Sequence, residues 1–200
     1  MTETDLRSRT IRSLVWRLFE QGGSAIIQLV VQVVMARLLT PSEFGALAIM
    51  LVFVNVGNVV VQSGLNTAII QAPDVTDEDF DTVFWMSLAI SLVLYLAVFA
   101  GAPVIGDFYG LPFLVTPLRV LVLVLVVNAY NAIQEAIVAR GFDFQKTFRS
   151  TVVAAVVSGT LGVGCALVGG GLWALVIQQL SYQVTKCLSL AVQIPWKPRP

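Results

Sequence analysis

The chain has 200 residues, 57% of them apolar and only 12% charged, and its twelve basic and twelve acidic residues cancel to a net charge of zero. An ordinary globular domain carries roughly 25% charged residues, so this composition, with a mean hydropathy of +0.85, is that of an integral membrane protein. The absence of histidine excludes imidazole catalysis, a histidine metal site and a histidine pH switch. Cys165 and Cys187 lie in apolar segments without metal-ligand spacing and read as small packing residues, so no cofactor or metal is expected.

Residues 1–12 form a short polar lead with Arg7, Arg9 and Arg12, a cytoplasmic tail. The apolar run behind it is long, polar-striped and without a small-residue cleavage site, which marks a retained span and not a signal peptide. Six apolar stretches follow, about 14–36, 44–70, 83–105, 112–139, 151–168 and 171–194, each near the ~20 residues that cross a bilayer as a helix. The expected fold is an all-α integral membrane bundle of six spans over residues 13–194, with 195–200 as a cytoplasmic end or a linker.

The first span carries Arg17, Gln21, Ser24, Gln28 and Gln32 at spacings of four, three, four and four, which at about 100° per residue keeps them in a narrow arc. One side of this helix avoids lipid. It runs into Thr40-Pro41-Ser42-Glu43, which predicts an N-cap at Thr40, proline at the first helical position and Glu43 reaching back to the cap amide. The second span has an uncharged stripe of its own, Asn55, Asn58, Gln62 and Asn66. Thr76 and Asp79 repeat the capping arrangement ahead of the third span, which is plainly hydrophobic and expected to meet lipid or packing, with Gly101, Pro103, Gly106, Gly110 and Pro112 marking an outer turn.

The fourth span turns polar at Asn128, Asn131 and Glu135, which share one helical face, while Arg119 on the opposite azimuth is expected to snorkel to the outer interface. Residues 140–149 mix cations with Phe142, Phe144 and Phe148, a pattern suited to anionic lipid headgroups. In the fifth span Ala154, Ser158, Gly162 and Ala166 fall four apart, a seam for close helix contact. Gly169-Gly170-Gly171 makes a tight turn, and the sixth span bears Gln178, Tyr182, Thr185, Ser189 and Gln193, with Lys186 beside them.

Six spans place both ends on one side. Arg7, Arg9, Arg12, Arg140, Lys146, Arg149, Lys197 and Arg199 fall on that side and only Arg37 clearly on the other, so the positive-inside rule makes both ends cytoplasmic. Trp16, Trp85, Trp173 and Trp196 lie near span ends, where an amphipathic ring suits the headgroup region.

The run Ala36-Arg37-Leu38-Leu39-Thr40-Pro41-Ser42-Glu43-Phe44-Gly45 resembles the polysaccharide-transport branch of the multidrug/oligosaccharidyl-lipid/polysaccharide exporter superfamily, the lipid-linked oligosaccharide flippases. The acidic run leading to Val83-Phe84-Trp85, the Gly171-Leu172-Trp173-Ala174-Leu175 opening of the sixth span and the closing Trp196-Lys197-Pro198-Arg199 support the resemblance, which covers essentially the whole chain. It implies two pseudo-symmetric six-helix lobes around a cavity open alternately to each face, carrying a polyprenyl-diphosphate-linked sugar unit across a bacterial inner membrane. Six spans suffice for one lobe. The chain is therefore expected to be the N-terminal half of a longer product, or one of two copies that pair, with the second lobe, membrane lipid and lipid-linked oligosaccharide as partners and no nucleic acid.

A charge at bilayer depth costs ~2.5–3.5 kcal/mol on insertion scales, so embedded ions need an account. Arg17 and Glu20 either pair with each other or leave Arg17 to draw a diphosphate into the cavity mouth, a task suited to a bidentate guanidinium. Glu20 and Glu135 are the two candidates for ion coupling, although Glu135 is equally placed to pair with Arg140 or Lys146. Lys186 belongs to the cavity or to the interface. The amide stripes of the first, second and sixth spans together suggest a shared polar lumen, from Arg17, Gln21, Ser24, Gln28, Gln32, Asn55, Asn58, Gln62, Asn66, Gln178, Tyr182 and Lys186. These positions come from periodicity and from no family motif. An ion-coupled multidrug exporter would need acids deep in that lumen, and a membrane scaffold would spend the stripes on helix contacts. An enzyme is the least favoured reading, since the sequence has no histidine, metal cluster or nucleophile–base pair and lacks the sizeable polar domain that a glycosyltransferase normally requires.

Overall fold

A chain surrounded by hydrocarbon must satisfy its backbone hydrogen bonds within itself, which leaves helices as the solution for long apolar runs. The computed structural model describes residues 22–23, 25–62, 77–141, 144–194 and 196, and among them the regular structure is entirely helical. The helices are α1 (Ala25–Leu38), α2 (Pro41–Gln62), α3 (Asp77–Phe108), a 3-10 turn at Pro112–Leu114, α4 (Val115–Leu121), α5 (Leu123–Gly141), α6 (Phe144–Leu167) and α7 (Leu172–Gln193). Helices α4 and α5 are one rod with a break at Val122, so the six stretches read in the sequence appear as six rods.

Pro41–Val61, Glu78–Phe108, Pro112–Arg140 and Gln145–Leu167 are long and apolar enough to cross a membrane, and Ala25–Leu38 is a shorter apolar helix. Helix α7 has 22 residues, about 33 Å at 1.5 Å per residue. Its length suffices to span, but Gln178, Gln179, Gln183, Lys186 and Gln193 dilute its hydropathy. The protein is a multi-pass membrane helical bundle.

The turns follow from local chemistry. Thr40 caps α2, but the carboxylate of Glu43 does most of the work: its Oε2 accepts from the Thr40 amide at 2.7 Å and from the Thr40 hydroxyl at 2.9 Å. Helices α3 and α6 both end in a glycine with positive φ, the left-handed geometry that closes a Schellman motif. Gly110 (φ 66°) donates to Asp107 O while Leu111 donates to Gly106 O. Gly169 (φ 80°) donates to Ala166 O while Gly170 donates to Cys165 O.

The sequence expectation of a turn from Gly101 onward is corrected here, because α3 continues through Gly101, Pro103 and Gly106 to Phe108. Proline inside a helix removes one donor and orphans the carbonyl four residues back, which is that of Phe99. Arg119 fills the gap. Its Nε donates to Phe99 O at 3.2 Å, and its guanidinium carbon lies 4.4 Å from the centroid of the Phe99 ring. Arg119 is thus spent on α3 and does not reach for the outer interface alone, and the cation–π contact adds to the bond.

Helix packing is densest between α6 and α7, with α5 touching α2, α3 and α7. The largest apolar cluster joins Met35, Leu39, Leu47 and Met50 to Leu114, Leu118, Leu121, Leu125, Leu172 and Leu175, and so seals the end of the bundle that carries the three tight turns. Toward the opposite end the apolar clusters are small: Phe80, Phe84, Ile133 and Ala136 in one, and Val138, Leu190 and Ile194 in another. Trp196 stacks edge-on against Phe84 and lies 6.0 Å from Tyr130, so it is a packing residue as well as a candidate interface ring. Helix α3 exposes Leu92, Val93, Leu96 and Val104, in keeping with a lipid face.

Arg119→Leu is expected to destabilise the protein by ~1.5–3 kcal/mol, the range for a hydrogen bond with a charged partner. In a Pro103→Ala background, where the amide restored at position 103 donates to the Phe99 carbonyl, the same change should cost about half as much. Thermal unfolding of the four variants in detergent measures this, and equal costs in both backgrounds would refute the staple.

Candidate functional site

Helix α7 is the common wall of two polar clefts. The larger, of about 200 Å³, is enclosed by Gln28, Val31 and Gln32 of α1, Ala155 and Ser158 of α6, and Gln178, Gln179, Tyr182 and Gln183 of α7. The smaller, of about 70 Å³, lies between Asn55 and Asn58 of α2, Leu121 and Val124 of the α4–α5 rod, and the same Gln179 and Gln183. The first, second and sixth spans therefore turn their amides toward one region, with Gln28 and Gln178 in one cleft and Asn58 in its neighbour.

Two glycines on α6 set this geometry. A Cβ on Gly159 would stand 2.6 Å from Cγ2 of Val31 on α1, and one on Gly162 would stand 2.9 Å from Cβ of Gln178 on α7. Both are closer than real Cβ contacts allow, so only glycine lets α6 receive α1 and α7 at this distance without a shift. The predicted seam is buried throughout at Ala154, Ser158, Gly162 and Ala166. Ser158 and neighbouring Ala155, being small, leave the floor of the cleft low.

The polar groups around the clefts divide into two kinds. Some are consumed by helix contacts: Asn128 Nδ2 donates to Asn58 Oδ1 at 2.8 Å, Asn131 Nδ2 donates to the Gln183 carbonyl at 3.3 Å, and Gln193 Nε2 donates to Ser150 Oγ at 2.9 Å and to the Ser189 carbonyl at 3.0 Å. Others make no side-chain hydrogen bond to the described residues: the carboxamides of Gln28, Gln32, Asn55, Gln178, Gln179 and Gln183. Gln178 among them is only 9% exposed. Gln28, Gln32 and Asn55 are exposed and Gln179 and Gln183 half-buried, so these carboxamides remain accessible for hydrogen bonding from the clefts.

The predicted stripe of α7 splits accordingly. Gln178 and Tyr182 line the larger cleft, whereas Gln193 reaches Ser150 of α6 and Ser189 accepts from Gln193 within α7. Glu135 and Lys186 read as separate candidates in the sequence, but the fold pairs them, with Nζ 2.5 Å from Oε1, Lys186 16% and Glu135 46% exposed. Glu135 thus takes Lys186 from α7 as its partner where the sequence suggests Arg140 or Lys146. Periodicity misses Gln179 and Gln183. They are four residues apart and flank Gln178 and Tyr182, so the signal is a second parallel stripe one position along. Arg17, Glu20, Gln21, Ser24 and Asn66, and the side chain of Gln62, lie outside the described residues, as does Thr76. Among the described residues no three metal-ligating side chains gather. What the clefts offer is neutral hydrogen bonding, every carboxamide supplying donors and an acceptor together.

Residues 34–200 match a family model described as polysaccharide biosynthesis protein. The chain is 26% identical over 199 residues to the succinoglycan biosynthesis transport protein ExoT of Rhizobium meliloti, an alignment covering 100% of this chain and 40% of that protein. It is 25% identical over 170 residues to the lipopolysaccharide biosynthesis protein WzxC of Escherichia coli, covering 85% of this chain and 34% of the other. It is 24% identical over 162 residues to the teichuronic acid biosynthesis protein TuaB of Bacillus subtilis, covering 80% and 33%. The chain thus spans 40% or less of the length of these relatives. No solved structure matches. The family match runs from the last turns of α1 to the final residue, through the capped turn at Thr40 and both clefts, and by it this membrane-spanning chain belongs to the polysaccharide biosynthesis protein family.

Proposed function

We propose that this chain is one six-helix lobe, residues 13–194, of a transporter that moves polyprenyl-diphosphate-linked oligosaccharide from the cytoplasmic to the outer leaflet of a bacterial inner membrane, for surface polysaccharide biosynthesis. The observation that carries this reading is the convergence of six unpartnered carboxamides from α1, α2 and α7 on adjoining clefts. Sugar hydroxyls are donors and acceptors at once, and a wall of amides meets them in either sense. The names of ExoT and WzxC, a succinoglycan biosynthesis transport protein and a lipopolysaccharide biosynthesis protein, favour the same substrate class.

In this reading the second lobe, from a longer chain or a second copy, faces the clefts, and alternating access carries the sugar past the midplane between the lobes. Both ends of the chain, the 1–12 tail and the 195–200 segment, are cytoplasmic. Arg17 meets the diphosphate, Lys186 being held by Glu135, and membrane lipid surrounds α3 and the 140–149 segment. The scaffold reading is weakened because the cleft amides are not spent on helix contacts. The drug-exporter reading is weakened because Glu135 already holds an ammonium; Glu20 is the other acid that it would need.

Two measurements test the proposal. In cells depending on the full-length gene, the double change Gln32→Leu and Gln178→Leu should lower surface polysaccharide by about tenfold at equal protein level, as expected for two lost hydrogen bonds of ~0.5–1.5 kcal/mol each. Wild-type output would reject the cleft as the substrate path. With Cys165 and Cys187 both replaced by alanine, Gln179→Cys should react with a membrane-impermeant maleimide added to opened vesicles. Val93→Cys, on a side chain 65% exposed on the lipid face of α3, should not. Equal labelling of the two would show that the cleft is not an aqueous lumen.

A further inference from the structure

We infer that the larger cleft is a subsite for a single uncharged sugar ring, with its depth, and so the ring it accepts, set by Ala155 and Ser158 on α6. The inference rests on the transport reading above and assigns one part of the cargo to one place. Its volume of about 200 Å³ is below the ~300–1,000 Å³ of sites that hold drug-sized ligands, so it takes a ring and not a chain. Its polar lining among the described residues is Gln28, Gln32, Gln178, Gln179 and Gln183 with the hydroxyls of Ser158 and Tyr182, and these include no cation or carboxylate. Val31, Ala155 and the Tyr182 ring supply apolar surface for the C–H faces of a pyranose. Gln178 is the sharpest indicator, since the residue is 9% exposed, lines the cleft, and its carboxamide has no side-chain hydrogen-bond partner among the described residues.

Charge decides against an acidic sugar at this place. Lys186, one turn beyond Tyr182 on α7, is held by Glu135, so a uronate carboxylate entering the cleft would be desolvated without a counter-charge. The floor decides size. Ala155 and Ser158 are the shortest side chains of the lining, and any longer residue there projects into the volume.

Saturation-transfer NMR on the full-length protein in nanodiscs tests this with methyl β-glucopyranoside as the neutral probe and methyl β-glucuronide as the acidic one. The neutral glycoside should bind, and the glucuronide should bind at least about tenfold more weakly for want of a counter-charge. Ser158→Leu and Ala155→Leu should each abolish the signal, and Val153→Leu, on the exposed side of α6, should keep it. Thermal unfolding confirms that each variant is folded, and Gln178→Leu, which leaves the floor intact, gives a second loss of binding if a floor variant does not fold. Equal binding of the two glycosides, or a signal unchanged in both folded floor variants, overturns the subsite. No glycoside binding, together with a polysaccharide defect in the Gln32→Leu and Gln178→Leu cells, overturns the subsite but leaves transport standing, with the amides meeting the second lobe. Neutral binding without any polysaccharide defect upholds the subsite and removes the transport reading.

Discussion

A polar group inside a bilayer has to find its hydrogen bond within the protein or keep a route to water, and this requirement orders the structure. The backbone meets it by becoming helical. Where Pro103 breaks the pattern, Arg119 crosses from α4 to occupy the Phe99 carbonyl, so that a missing donor and an embedded cation cancel each other. Asn58 with Asn128, and Gln193 with Ser150, do the same for side chains. Six amides of the two clefts stand apart because they make no side-chain hydrogen bond to the described residues and face open space.

The bundle is correspondingly uneven along its length. Interlocking leucines and methionines fill the end with the tight turns, whereas polar contacts and clefts occupy the middle of α7. Helix α6 stands between α1 and α7, and it can do so because Gly159 and Gly162 present no side chain to Val31 and Gln178. The same short residues that let the helices close therefore create the low floor between them. Packing and pocket are two results of one choice of residue size.

Much of this was legible in the sequence. The cap at Thr40 and Glu43 and the small-residue seam of the fifth span are local patterns with fixed helical periods, and the structure shows both; of the amide stripes, Gln28, Gln32, Asn55, Asn58, Gln178 and Tyr182 are the described members that line the clefts. What could not be read depended on pairs far apart in the chain. Pro103 and Gly106 look like a turn until Arg119 supplies the missing donor. Glu135 and Lys186 are 51 residues apart, and nothing local favours that pairing over the nearer Arg140. Gln179 and Gln183 were hidden by their neighbours, since a one-dimensional stripe is narrower than the arc a concave wall can use. Gln193 carries the period of the cleft residues yet meets Ser150 of α6, because a helix longer than the cleft passes beyond its edge.

The capping carboxylate of Glu43 has another oxygen, and it lies where a Cβ of Gly171 would be, 2.5 Å away. Gly171, at φ 52°, thus lets the head of the last hairpin approach the head of the first at that point. From it, Gln178 is about 10 Å along α7 and Gln193 about 33 Å, at 1.5 Å per residue. A splay of the two hairpins that moved the far tip by about 3 Å would shift Gln178 by only about 1 Å. For the proposed transport, leverage of this kind would open one mouth widely while a ring held at Gln178 was loosened only a little.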